Sequence, residues 1–101
     1  MDYYVIGDED TVLGFGMVGV RGREVSTERE TNLALDAALE DREIGILIMT
    51  ERAADLVRDR VEHLLFSEDF PLIVEIPDRS GSLPGRPTLR EMVNDAIGIK
   101  V

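Results

Sequence analysis

The stretch Ile44-Gly45-Ile46-Leu47-Ile48-Met49 constrains this chain more than any other. It is continuously apolar, bounded by Glu43 before it and Thr50-Glu51 after it, and too short and β-branched to favour a buried helix. It predicts a strand covered on both faces. Strands buried in that way belong to parallel sheets shielded by crossover helices, so the flanking sequence must supply helices and further strands.

It does so in order. Tyr3-Tyr4-Val5-Ile6, closed by Gly7, predicts a first strand. Asp8 or Asp10 then caps a short helix reaching Gly16, which carries Val12, Leu13 and Phe15 but two glycines, each weakening it by about 1 kcal/mol against alanine. Met17-Val18-Gly19-Val20 predicts a second strand at a sheet edge, closed by Arg21-Gly22-Arg23. Thr27-Glu28-Arg29-Glu30 has capping-box spacing, opening a helix in which Leu33, Ala34, Ala37, Ala38 and Asp41 follow at three and four spacing and Leu35 and Leu39 widen the apolar face. Thr50 caps a third helix, whose stripe is Ala53, Ala54, Val57, Val61, Leu64 and Leu65, with Asp55, Arg58, Asp59 and Glu62 toward water. Leu72-Ile73-Val74-Glu75-Ile76 predicts a fourth strand, partly solvated at Glu75. Strands alternating with helices imply an α/β fold: a small four-stranded parallel sheet, doubly wound with helices on both faces, with Tyr3–Ile6 and Ile44–Met49 in the middle.

After residue 76 the composition changes. Residues 77–87 contain Pro77, Pro84, Pro87, Gly81 and Gly85, which argues against helix and strand pairing and for a flexible tether. Thr88-Leu89-Arg90-Glu91 repeats the capping-box spacing, and Leu89, Met92, Val93, Ala96 and Ile97 form an apolar stripe before Gly98. Three regions result: an α/β domain at 1–76, a linker at 77–87, and an amphipathic helix with its tail at 88–101. So short a helix is marginal alone and needs a surface to bury its stripe. That surface is the chain's own sheet or a groove or coiled coil of another protein.

Net charge and residue types narrow the function. A charge of −10, with the arginines scattered among acids, repels phosphate backbones and argues against nucleic-acid binding. The chain has no cysteine, which excludes disulfides and thiolate metal sites. It has no apolar run long enough for a membrane span, and Met1-Asp2-Tyr3-Tyr4 lacks the basic start of a signal peptide. A cytoplasmic protein is expected.

Gly14-Phe15-Gly16-Met17-Val18-Gly19 matches G-x-G-x-x-G, but the dinucleotide mechanism needs those glycines directly after a strand and opening a helix. Here they close one. Asp8, Glu9 and Asp10 follow the first strand, where receiver domains hold magnesium. That chemistry also needs an aspartate ending the central strand and a nearby lysine, whereas this chain offers Thr50-Glu51 and a sole lysine, Lys100. Helix capping is the expected task of these acids. His63 reads as a cation near a helix C-terminus, and Ser80-Gly81-Ser82 lacks the following G-K-[ST] of a phosphate loop. No catalytic constellation, cofactor site or metal site is expected; the chain reads as a protein that binds proteins.

Taken together, Ile6-Gly7-Asp8, Thr11-Val12 with Gly14-Phe15 and Gly19-Val20, Ile46 to Thr50, Pro71 to Pro77, and Ala96-Ile97-Gly98-Ile99-Lys100 resemble the F subunit of the V-type and archaeal A-type rotary ATPases. The resemblance runs through nearly the whole chain. It implies a non-catalytic central-stalk protein, peripheral to the membrane and without membrane insertion, beside the coiled coil of the D subunit and near the catalytic head. A mobile C-terminal helix modulating activity is also implied. The contact residues would be Leu89, Met92, Val93, Ala96 and Ile97. The rival reading is a free-standing receiver-like or small-ligand regulatory domain.

Overall fold

The structure, a computed structural model, describes residues 2–66 and 71–78. Its elements are β1 (Asp2–Gly7), α1 (Glu9–Gly16), β2 (Arg21–Glu24), α2 (Glu28–Glu40), β3 (Ile44–Thr50), α3 (Glu51–Leu56), α4 (Arg58–Leu65) and β4 (Leu72–Ile76). The strands form one parallel sheet in the order β2-β1-β3-β4. The doubly wound α/β architecture expected from the sequence is the one observed, with the predicted central pair at its centre. The predicted tether beyond Asp78 and the predicted helix lie outside the described residues.

Paired residues of parallel strands share a face, so the register sorts the side chains. Tyr4, Leu47 and Ile73 form one row and Ile6, Met49 and Glu75 the next. These rows face α2, α3 and α4, and their apolar members pack with Ala34, Leu35, Ala38, Ala53, Ala54, Val57 and Val61 into the main core. The opposite rows are Tyr3, Ile46 and Leu72; Val5, Ile48 and Val74; and Thr50 with Ile76. α1 lies on this second face, packed against β1 and β2.

Helix starts follow the capping chemistry. Asp8 accepts from the Thr11 amide at 3.3 Å and its hydroxyl at 2.5 Å. Thr27 Oγ1 accepts from the Glu30 amide at 3.1 Å, while the Glu30 carboxylate reaches back to the amide of Ser26 at 3.0 Å, one residue beyond the usual partner in a capping box. Thr50 Oγ1 accepts from the Ala53 amide at 3.2 Å, with Thr50 itself buried.

Three local expectations are corrected. The second strand is Arg21–Glu24, not Met17–Val20: the latter run is a turn in which Gly19 takes φ +87° and the Val20 amide donates back to the Phe15 carbonyl at 3.0 Å. Gly22 is what lets β2 pair with β1, because a Cβ there would lie 2.3 Å from Val5 Cγ1 and 2.7 Å from the Val5 carbonyl oxygen. In α2 the buried stripe is Thr31, Ala34, Leu35 and Ala38, while Leu33 and Ala37 face water. Thr31 qualifies because its hydroxyl donates to the Thr27 carbonyl at 2.7 Å, which satisfies its polar group inside the core. The third helix is broken at Val57 (φ −134°, ψ 40°), a β-branched residue whose extended φ starts α4 in a new direction. The break keeps Val57 and Val61 in the core and swings Arg58 toward β4, so Arg58 is half-buried instead of facing water.

Candidate interaction surface

The two faces of the sheet are covered unequally. Among the described residues, three helices close the core side, whereas α1 alone packs on the other, over β1 and β2. Over β3 and β4 that second face presents an apolar floor. Ile46, Ile48 and Ile76 are partly exposed, Leu72 is 59% and Val74 40% exposed. A groove lies between α1 and the end of β4, walled by Asp10, Thr11, Gly14, Phe15 and Val18 on one side and by Ile76, Pro77 and Asp78 on the other. No residue of α1 is buried, and Leu13, Met17 and Val18 extend the apolar surface outward. An apolar expanse of this kind on a chain carrying so many charges is suited to protein contact.

The end of β4 is fixed to the body. Asp78, nearly buried, meets Arg52 Nε at 3.0 Å. On the core side Arg58 forks onto Glu75 with two contacts of 2.8 Å and also bonds Asp55. The bidentate bond to Glu75 outweighs burial and raises the Arg58 pKa, so the guanidinium stays charged. Arg60 similarly ties α4 to α2 through Asn32 Oδ1 at 3.0 Å and Asp36 at 2.5 Å.

The chemical candidates resolve as follows. Asp8 is occupied as a helix cap. Partial burial pushes its carboxyl up, but the hydrogen bonds from the Thr11 hydroxyl and amide together outweigh that and hold its pKa below the ordinary value. Gly14 and Gly16 stand inside α1 and Gly19 in the following turn, so the G-x-G-x-x-G match lacks the strand-to-helix turn that cradles pyrophosphate. The central strand ends in Thr50, committed to capping α3, followed by Glu51. No aspartate occupies the acceptor position of a receiver domain. His63 is exposed in the last turn of α4. Among the described residues, no group of three or more metal-ligating side chains comes together, and no helix is long and apolar enough to cross a membrane.

The predicted contact residues Leu89, Met92, Val93, Ala96 and Ile97 lie outside the described residues. Sequence reasoning missed the half-open sheet face. Its signal was present in the alternate positions Leu72, Val74 and Ile76, which pair with Ile46, Ile48 and Thr50 of a strand predicted to be buried on both sides.

A family model described as the ATP synthase (F/14-kDa) subunit matches residues 4–93. The chain is 38% identical, over 107 aligned positions, to the A-type ATP synthase F subunit of Pyrococcus abyssi, covering all of this chain and 98% of the relative. It is 40% identical to the Thermococcus sibiricus protein of the same name, with the same coverage. The V-type ATP synthase F subunit of Archaeoglobus fulgidus matches with a TM-score of 0.58 at 22% identity, over 74% of this chain and 95% of that one, a likeness of fold.

Proposed function

The chain belongs to the family of the ATP synthase (F/14-kDa) subunit, and from that membership we propose that it is a non-catalytic rotor component of the central stalk. In this reading it helps couple rotation to ATP synthesis or hydrolysis and to ion transport. It works in the cytoplasm, peripheral to the membrane, seated beside the coiled coil of the D subunit and below the catalytic head. The observation that carries the reading is the extent of the family match, which runs from β1 through the body and on to residue 93, inside the amphipathic segment.

Physical features support it. Ion pairs tie Arg52 of α3 to Asp78, Arg58 of α4 to Glu75 of β4 and Arg60 of α4 to Asp36 of α2, cross-links that suit a body carrying torque. The segment 88–97 supplies a helix whose stripe, Leu89, Met92, Val93, Ala96 and Ile97, buries against a partner helix and modulates ATPase activity. The test is Met92→Asp combined with Ile97→Asp in the assembled complex. Charges placed in an apolar contact weaken co-purification with the stalk by more than about tenfold or alter ATPase control, while far-UV circular dichroism still reports a folded body. Unchanged assembly together with unchanged ATPase control refutes the helix's role.

A further inference from the structure

We propose that Met17, in the turn that follows α1, is a site of reversible oxidation by hydrogen peroxide, taking up one oxygen while the body stays folded. This role rests on the body alone and is independent of the stalk assignment. Access is the first observation. Two methionines lie among the described residues, and they stand at opposite extremes: Met17 is 82% exposed, whereas Met49, on the core face of β3, is fully buried. Oxidation of a thioether follows its access to the oxidant, so the fold separates these two sulfurs as far as one chain can.

The second observation is the setting of Met17. Its backbone amide donates to the carbonyls of Leu13 at 3.1 Å and Gly14 at 3.2 Å, so α1 closes through the main chain and asks nothing of the side chain. Gly14 and Gly16 precede it and Gly19 follows, and a Cβ built on any of the three meets nothing within 4 Å. Glycine inside an exposed helix weakens it relative to alanine, so the open setting is held at some loss of local stability. The G-x-G-x-x-G run lacks the geometry to hold pyrophosphate, yet it has this other effect. On both sides it removes the side chains that would shade the sulfur.

The chemistry balances with peroxide and thiols alone. A lone pair on Met17 Sδ attacks one peroxide oxygen, an S–O bond forms and the O–O bond breaks, and the other oxygen leaves as water after a proton shift. The sulfur loses two electrons and the peroxide gains them. In the return step the thiols of a methionine sulfoxide reductase supply two electrons, yielding the thioether, a disulfide and water. The oxidised side chain is polar, and it stands on an exposed apolar patch with Leu13, one helical turn back, and Val18 beside it. Oxidation therefore changes the character of this surface and leaves the core around Met49 intact.

Absence of native cysteine keeps the test free of competing thiol oxidation. The full-length chain is treated with dilute hydrogen peroxide, quenched at intervals, digested and read by mass spectrometry. In buffer the peptide holding Met17 gains one oxygen at least about tenfold faster than the peptide holding Met49. In concentrated urea the two rates come within about threefold of each other, because the fold no longer separates the sulfurs. Far-UV circular dichroism and the urea midpoint are unchanged once Met17 is oxidised. The two epimer-specific methionine sulfoxide reductases with dithiothreitol return the Met17 peptide to its original mass. In a Met92→Leu background, hydrophobic-interaction chromatography of the native protein shows earlier elution after treatment, and adding Met17→Leu abolishes most of that shift. Equal rates for Met17 and Met49 in buffer, unfolding on Met17 oxidation, a sulfoxide that the reductases leave in place, or a shift indifferent to Met17→Leu each overturn the proposal. Because these measurements use the chain alone, their failure leaves the stalk assignment standing, and failed co-purification leaves Met17 standing.

Discussion

Gly7→Ala isolates one contact on which the centre of the fold depends. Gly7 ends β1 beside Thr50 of β3, and a Cβ added to it would lie 2.7 Å from Thr50 Cγ2. Thr50 is buried and its hydroxyl caps α3, so it is held from two directions and cannot rotate away without uncapping a helix. Overpacking of this kind costs about 1–3 kcal/mol, offset by about 0.4–1 kcal/mol from the stiffer unfolded chain. The net loss is about 1–2 kcal/mol, or a fall of about 5–15 °C in Tm for a domain of this size. Thr50→Ser removes the offending methyl and keeps the capping oxygen. Alone it destabilises by about 1 kcal/mol through the small void it leaves. Combined with Gly7→Ala it lets the new methyl occupy that void, so the double variant lies within about 1 kcal/mol of the parent. Urea and thermal unfolding followed by circular dichroism give all corners of the cycle. Strict additivity of the two single losses would show that the steric account is wrong.

Other expectations follow from the same physics. Asp8→Ala, which deletes the α1 cap, lowers stability by about 1 kcal/mol in urea unfolding, while Asp8→Asn largely preserves it. Because the Asp8 pKa is lowered from 3.8 in the folded state, its contribution is present above about pH 4 and is lost as the pH falls through the folded value. The acid limb of the stability profile is therefore flatter in Asp8→Asn. Arg58→Met strands the half-buried Glu75 carboxylate without its bidentate partner and lowers stability by about 1.5–3 kcal/mol at neutral pH.

Much of this fold was legible because local and tertiary signals agreed. Ile44 to Met49 had one reasonable reading, and the caps at Asp8, Thr27 and Thr50 announced their helices through short-range hydrogen bonds that do not depend on distant packing. The errors fell where tertiary contacts overrule local preference. Met17-Val18 has strand composition, but Gly19 turns the chain there, and the charged Arg21–Glu24 pairs with β1 because Gly22 alone fits over Val5. Thr31 displaces Leu33 from the core because its hydroxyl finds the Thr27 carbonyl. Arg58 carries no local mark of its attachment to Glu75, 17 residues away. The candidate surface was the least legible part, since an uncovered sheet face has the same alternating apolar residues as a covered one.

The two borders of the sheet carry unequal insurance against sticking to another sheet. On the β2 border, Arg21, Arg23 and Glu24 leave Gly22 as the one residue without charge, so a neighbouring chain that tried to add on would meet ions along almost its whole length. Among the described residues the β4 border, Leu72-Ile73-Val74-Glu75-Ile76, has a lone charged sentinel in Glu75, which Arg58 holds in place with two hydrogen bonds of 2.8 Å. Fibril-like stacking, if this molecule ever undergoes it, therefore starts from β4. A variant with an apolar residue at 75 would trade an ion pair for a shorter shelf life in concentrated solution.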